Sequence, residues 1–70
     1  MFMKKVEIYT EYIKLEQMLK IADIVSTGGE AKLFLLTTDI YVNDEVENRR
    51  GRKLYKGDVV KVNNNLYQIC

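Results

Sequence analysis

The sequence predicts a single small α+β domain, residues 1–70, with two short helices packed on a small antiparallel sheet. Three observations point there. The chain has 70 residues, 47% of them hydrophobic and 30% charged, which is material for one core and too little for a second. Its apolar periodicity is helical in two stretches, from Leu15 and again from Thr27, and turns to alternation after Ile40. Turn-forming residues punctuate the second half at Asn43-Asp44, Lys56-Gly57-Asp58 and Asn63-Asn64-Asn65, as short reversals between strands require.

In chain order, Lys5 to Tyr9 alternates with Val6 and Ile8 on one side, which predicts a short strand. From Leu15 to Val25 the residues Leu15, Met18, Leu19 and Ala22 recur at helical spacing with no Gly or Pro between them, so one face is buried. Lys14, Gln17 and Lys20 then lie along the opposite side. Thr27 and Glu30 have the spacing of a capping box, the Thr hydroxyl accepting from the amide three residues on and the Glu reaching back. A second helix therefore starts beside Thr27, buries Ala31, Phe34 and Leu35, and ends at Thr37-Thr38-Asp39. Ile40-Tyr41-Val42 is strand-like, Asn43-Asp44 suits a two-residue hairpin turn, and Glu45-Val46-Glu47 starts the returning strand. After the Lys56-Gly57-Asp58 turn come the strands Val59-Val62 and Leu66-Ile69. No repeat, linker or low-complexity segment interrupts this order.

The formal net charge of +1 conceals an asymmetry. Residues 49–61 hold six bases (Arg49, Arg50, Arg52, Lys53, Lys56 and Lys61) against Asp58 alone, a net +5, while the rest of the chain is −4. Concentrated positive charge on an acidic body is the footprint of a polyanion-binding surface. Within the run, arginine forks match phosphate oxygens, Gly51 lets the backbone approach a ligand, and Tyr55 is the aromatic placed to stack on an unpaired base. Phe34 and either Tyr41 or Tyr67 read as core or sheet residues.

Catalysis is disfavoured. There is no histidine, and the one thiol is Cys70, so the usual proton shuttle, a disulfide, a thiol or histidine metal cluster and a credible cysteine nucleophile are all missing. No cofactor and no small-molecule substrate is expected. The Gly28-Gly29 pair has two readings, a phosphate-holding helix start or a tight inter-helix turn. Glu30 in the first turn repels an anion and favours the turn. The spacing is not that of a nucleotide-binding loop. Neither a signal peptide nor a run of about 20 apolar residues is present, so a soluble, cytoplasmic protein is expected.

Taken together, Ile13 to Lys20, Ser26-Thr27-Gly28-Gly29-Glu30-Ala31-Lys32, Val42-Asn43, Arg49-Arg50-Gly51-Arg52-Lys53-Leu54 and Lys56-Gly57-Asp58 resemble the S-four domain. This is the RNA-binding domain named after the small-subunit ribosomal protein S-four, also called the alpha-L motif. The chain looks most like the stand-alone bacterial version labelled YaaA-like, with the core motif at residues 13–62. The resemblance implies two packed helices against a small sheet, with RNA held by the second helix, its preceding turn and neighbouring loops. It nominates Lys14, Gln17 and Lys20, Thr27 and Lys32, and Arg49 to Lys53; charge adds Lys56.

Two departures stand out. Thr27-Gly28 replaces the Ser-Arg of many members, leaving Arg49 or Arg50 to supply that contact, and Asn43-Asp44 replaces an Asn-Gly turn. The expected function is non-catalytic, monomeric binding of structured RNA, with ribosomal RNA or a ribosomal subunit as target. The alternative is a protein-interaction module that docks an acidic partner.

Overall fold

The computed structural model describes residues 3–70. Its elements are β1 (Met3–Val6), β2 (Tyr12–Lys14), α1 (Leu15–Ile21), α2 (Gly28–Thr37), β3 (Ile40–Val42), β4 (Glu45–Glu47), β5 (Lys53–Tyr55), β6 (Val59–Val62) and β7 (Asn65–Ile69). The α+β class is the expected one. The strands form a five-stranded sheet of order β1-β7-β6-β3-β4 and a separate ribbon of β2 and β5. One hydrophobic cluster joins Leu15, Met18, Leu19, Ala31 and Leu35 of the helices to Ile40, Val42, Leu54, Val60, Val62 and Ile69 of the strands. Among the described residues, no helix is long and apolar enough to cross a membrane, and no cluster of three metal-ligating side chains forms.

The sheet is mixed, which the antiparallel expectation did not include. β1 runs parallel to β7, with Val6 opposite Ile69. Nearly the whole chain connects these two strands, so no hairpin dictates their relative direction. β1 also begins and ends earlier than the expected Lys5 to Tyr9. Val6 and Ile8 are nevertheless both buried, and the Ile8 amide donates to the Cys70 carbonyl at 2.8 Å, so the predicted alternation holds past the strand's end.

Helix α1 stops at Ile21, short of the expected Val25. Asp23 adopts φ 61°, its amide donates to the Lys20 carbonyl at 3.0 Å, and the Ile24 amide donates to Leu19 at 2.9 Å. This is a Schellman stop with aspartate where glycine is usual. Helix α2 begins as predicted: Thr27 is its N-cap and its hydroxyl accepts from the Glu30 amide at 3.1 Å. The reciprocal half of the capping box, from the Thr27 amide to the Glu30 carboxylate, is not formed. Ala31 and Leu35 are buried and Phe34 packs partly against the core, while Leu33 and Leu36 face outward.

The Asn43-Asp44 turn carries φ 51° and 70°, the paired positive values of a type I′ hairpin. So tight a turn fixes the register at Val42 opposite Glu45 and Ile40 opposite Glu47. The alternation then sends Val46 outward, 56% exposed, and Glu47 inward, 6% exposed. Gly57 sits at φ 100° in the β5–β6 turn, where its missing Cβ is needed.

The β2–β5 ribbon is the element the sequence did not announce. Ile13 pairs with Leu54, and both side chains are buried in the common core. Its other positions, Tyr12 opposite Tyr55 and Lys14 opposite Lys53, point away from that core. On the far side of the five-stranded sheet, Val46, Tyr41, Lys61, Leu66 and Met3 stand in one cross-strand row.

Candidate nucleic-acid interface

The basic run is divided by the fold. Arg49 to Arg52 form a turn closed by the Arg52 amide donating to the Arg49 carbonyl at 3.2 Å, and Lys53 enters β5. Lys56 lies in the next turn, beyond Tyr55. Lys61 is on β6 opposite Tyr41, in the outer row of the sheet and apart from the ribbon. The part of the run that lies on one surface is thus shorter than the run that suggested it.

What the turn does instead is dock on helix α1. The carbonyls of Arg52 and Arg50 accept from the Leu15 and Glu16 amides at 2.8 and 3.1 Å. Those amides are among the first four of the helix, which have no intrahelical acceptor. Gln17 completes the start, its Oε1 accepting from the Lys14 amide at 2.9 Å. Gln17, nominated for ligand contact, thus commits its Oε1 to the cap, while its side-chain NH2 group supplies the donors that could meet a ligand.

This docking places Lys14 beside the arginines. Lys14 and Lys53 are direct cross-strand partners, a like-charge pairing that is unfavourable unless something offsets it. Lys53 finds partial relief over the ring of Tyr12, its Nζ 4.9 Å from the centroid. Tyr12 in turn lies 5.8 Å from Tyr55, tilted by 49°. Tyr55, 45% exposed, is open to stacking as expected; Tyr12 is a second aromatic at this surface that sequence reasoning passed over. It is recognisable only once the ribbon register is known.

The arginines differ from one another. Arg50 reaches Glu16 at 4.0 Å, with both side chains partly exposed, so its charge stays available. Arg49 and Arg52 instead converge on Glu47. Its carboxylate accepts from the Arg49 amide at 3.1 Å, from Arg49 Nε and Nη2 at 2.9 and 3.0 Å, and from Arg52 Nη1 at 2.9 Å. The Arg49 hydrogen bonds, outweighing the cost of burial, hold the Glu47 carboxyl down at about 2. The three charges sum to +1, less than the sequence count implied. Beside them an open depression of about 460 Å³ is lined by Arg49, Gly51, Arg52 and Lys53. A Cβ on Gly51 would meet nothing within 4 Å, so packing does not require glycine there.

Two of the remaining nominees lie along the helices that start beside this surface. A Cβ on Gly28 would lie 3.7 Å from Glu16 Oε2, which sets the Thr27 cap and the start of α2 against the α1 start. Lys20 and Lys32 are each four residues beyond this contact, one turn further along the same faces. Thr27 spends its hydroxyl oxygen on capping. Lys56 has no contact that ties it to the group.

Comparison with known proteins agrees with this architecture. Residues 6–70 match the family described as S4 domain. The chain is also 56% identical over 57 residues to the "Probable ribosome maturation protein RlbA" of Bacillus subtilis (strain 168), covering 81% of this chain and 80% of that protein. On the match across nearly its whole length, with the helix pair and sheet in place, this chain belongs to the S4-domain family.

Proposed function

We propose that the protein binds structured RNA without catalysing a reaction, using the surface where the β2–β5 ribbon meets the start of α1. The observation that carries this reading is the Lys14–Lys53 cross-strand pair, flanked by Arg50 and by the Arg49–Arg52 turn. A like-charge pair on a solvent-facing ribbon is offset most simply by an anionic ligand. Gly51 and the depression beside it suit a phosphate backbone, and Tyr12 and Tyr55 suit an unpaired base. Membership of the S4-domain family and the ribosome maturation named in the Bacillus relative support ribosomal RNA or a ribosomal subunit as the target. The protein acts as a cytoplasmic monomer.

The test is a filter-binding titration with purified bacterial ribosomal RNA. With about five phosphates neutralised, log affinity is expected to fall against log salt with a slope of roughly −3 to −5. Replacing Arg49 and Arg50 together with Glu should weaken binding about tenfold or more and flatten the slope. Binding indifferent to salt and to this double variant overturns the reading.

A second reading has its own observation. The row of Val46, Tyr41, Lys61, Leu66 and Met3 leaves apolar side chains in water on the outer sheet face, Val46 56% and Met3 45% exposed, where polar residues are usual. With Lys61 at its centre this face suits an acidic protein partner. Nuclease treatment of a co-purified complex separates the two: it releases partners held through RNA and spares direct protein contacts.

A further inference from the structure

We propose that Glu47 is a positioning residue for nucleic-acid binding: it holds the Arg49 and Arg52 side chains in one fixed arrangement so that their outward donors meet phosphate already ordered. This inference rests on the RNA-binding reading and assigns work to an acid inside a basic surface.

Glu47 is the one buried charged side chain among the described residues. A carboxylate has about four acceptor positions, and Glu47 fills them with four N–H donors from Arg49 and Arg52. The backbone of Arg49 is held together with its guanidinium, so the turn and the side chain are fixed by the same group. Arg49 commits Nε and one Nη2 hydrogen, and Arg52 one Nη1 hydrogen. Most of the five donors on each guanidinium stay unused. Arg49 is 78% exposed although its partner is buried, so the engaged edge faces the protein and the unused edge faces water. Arg52 lies at the side of the depression it shares with Gly51 and Lys53.

Simple charge counting makes Glu47 a defect, since it subtracts from the positive field that attracts RNA. Preorganisation makes it an asset, because a flexible arginine loses rotamer freedom when it binds, whereas one already held does not. The two views predict opposite signs for the same substitution.

The test titrates purified bacterial ribosomal RNA into the wild type, Glu47→Gln, the charge-conserving pair Arg49→Lys/Arg52→Lys, and the triple variant, at two salt concentrations. E47Q is expected to weaken binding about two- to tenfold, the equivalent of ordering one long side chain, despite its gain of positive charge. In the R49K/R52K background there is no fork left to orient, and E47Q should then leave affinity unchanged or raise it slightly. Tighter binding by E47Q alone, or an equal loss in both backgrounds, overturns the proposal; a loss of fold would act equally in both. Should circular dichroism show E47Q unfolded, R49K/R52K against wild type decides, and equal affinity overturns it. The Arg49/Arg50 to Glu variant is measured alongside. If that variant binds normally the RNA reading itself fails, whatever Glu47 does.

Discussion

Two carboxylates in this molecule each gather a turn, and the donors they gather set them apart. Asp58 accepts from neutral groups: Asn43 Nδ2 at 3.1 Å and the Tyr55 amide at 2.8 Å. Asn43 in turn accepts from the Val59 amide at 2.9 Å through its own side-chain oxygen. The β3–β4 and β5–β6 turns are thereby clipped to each other. Glu47, the last residue of β4 in the same hairpin, gathers guanidinium groups. The first clip serves the fold, since its donors are consumed within the protein. The second leaves donors pointing outward, so it orders a surface as well as a loop. Donor chemistry, more than the carboxylate, decides which kind of clip results.

This contrast can be broken from either side. Asp58→Ala removes two hydrogen bonds and is expected to cost about 1–3 kcal/mol, lowering Tm by roughly 7–20 °C in a domain of this size. Ribosomal RNA affinity measured well below the melt should not change; a matching loss of affinity would mean that both clips serve the surface.

The Glu47 clip has a pH signature. Its folded value of about 2 lies below the unfolded 4.5, so the stability it confers is fully present above pH 4.5 and is lost as pH falls towards 2. Water around the exposed Arg49 screens the pairing, and about 1–3 kcal/mol is the scale to expect. Urea melts of wild type and E47Q should differ by this amount near neutrality and converge at pH 2. A gap that persists at pH 2 would trace the stability to packing and not to charge.

The smallest effect concerns the turn itself. Asp44 holds φ 70°, which glycine adopts freely, and Asp44→Gly is expected to stabilise by up to about 1 kcal/mol. A calorimetric Tm that falls would show that Asp44 contributes contacts beyond its backbone.

These differences also mark what was legible in the sequence. The Thr27 cap and the Asn43-Asp44 hairpin were readable because their signals lie within four consecutive residues each. The ribbon was not. β2 and β5 have three residues apiece, too few to establish a period, and their partners are some forty positions apart. The stop of α1 was hidden because Asp23, not glycine, takes the left-handed conformation. At the surface, Lys14, Gln17 and residues 49–53 were nominated and the fold gathers them. For Glu47 the sequence predicts only a place in the returning strand, with no sign of its burial. Its Glu-x-Arg-x-x-Arg spacing and its inward phase, once the two-residue turn fixes the register, are the signals that expose it.

The carbonyls of Arg50 and Arg52 complete the first turn of α1, and this gives the basic loop a built-in gauge. The amide hydrogens of Leu15 and Glu16 are shielded from solvent exchange while the loop is docked, and lose that shield when it lifts. Neither belongs to the loop, and neither has to touch a ligand. Their exchange rates therefore follow the state of the contact surface from inside a neighbouring helix, whatever RNA, salt or variant is being compared.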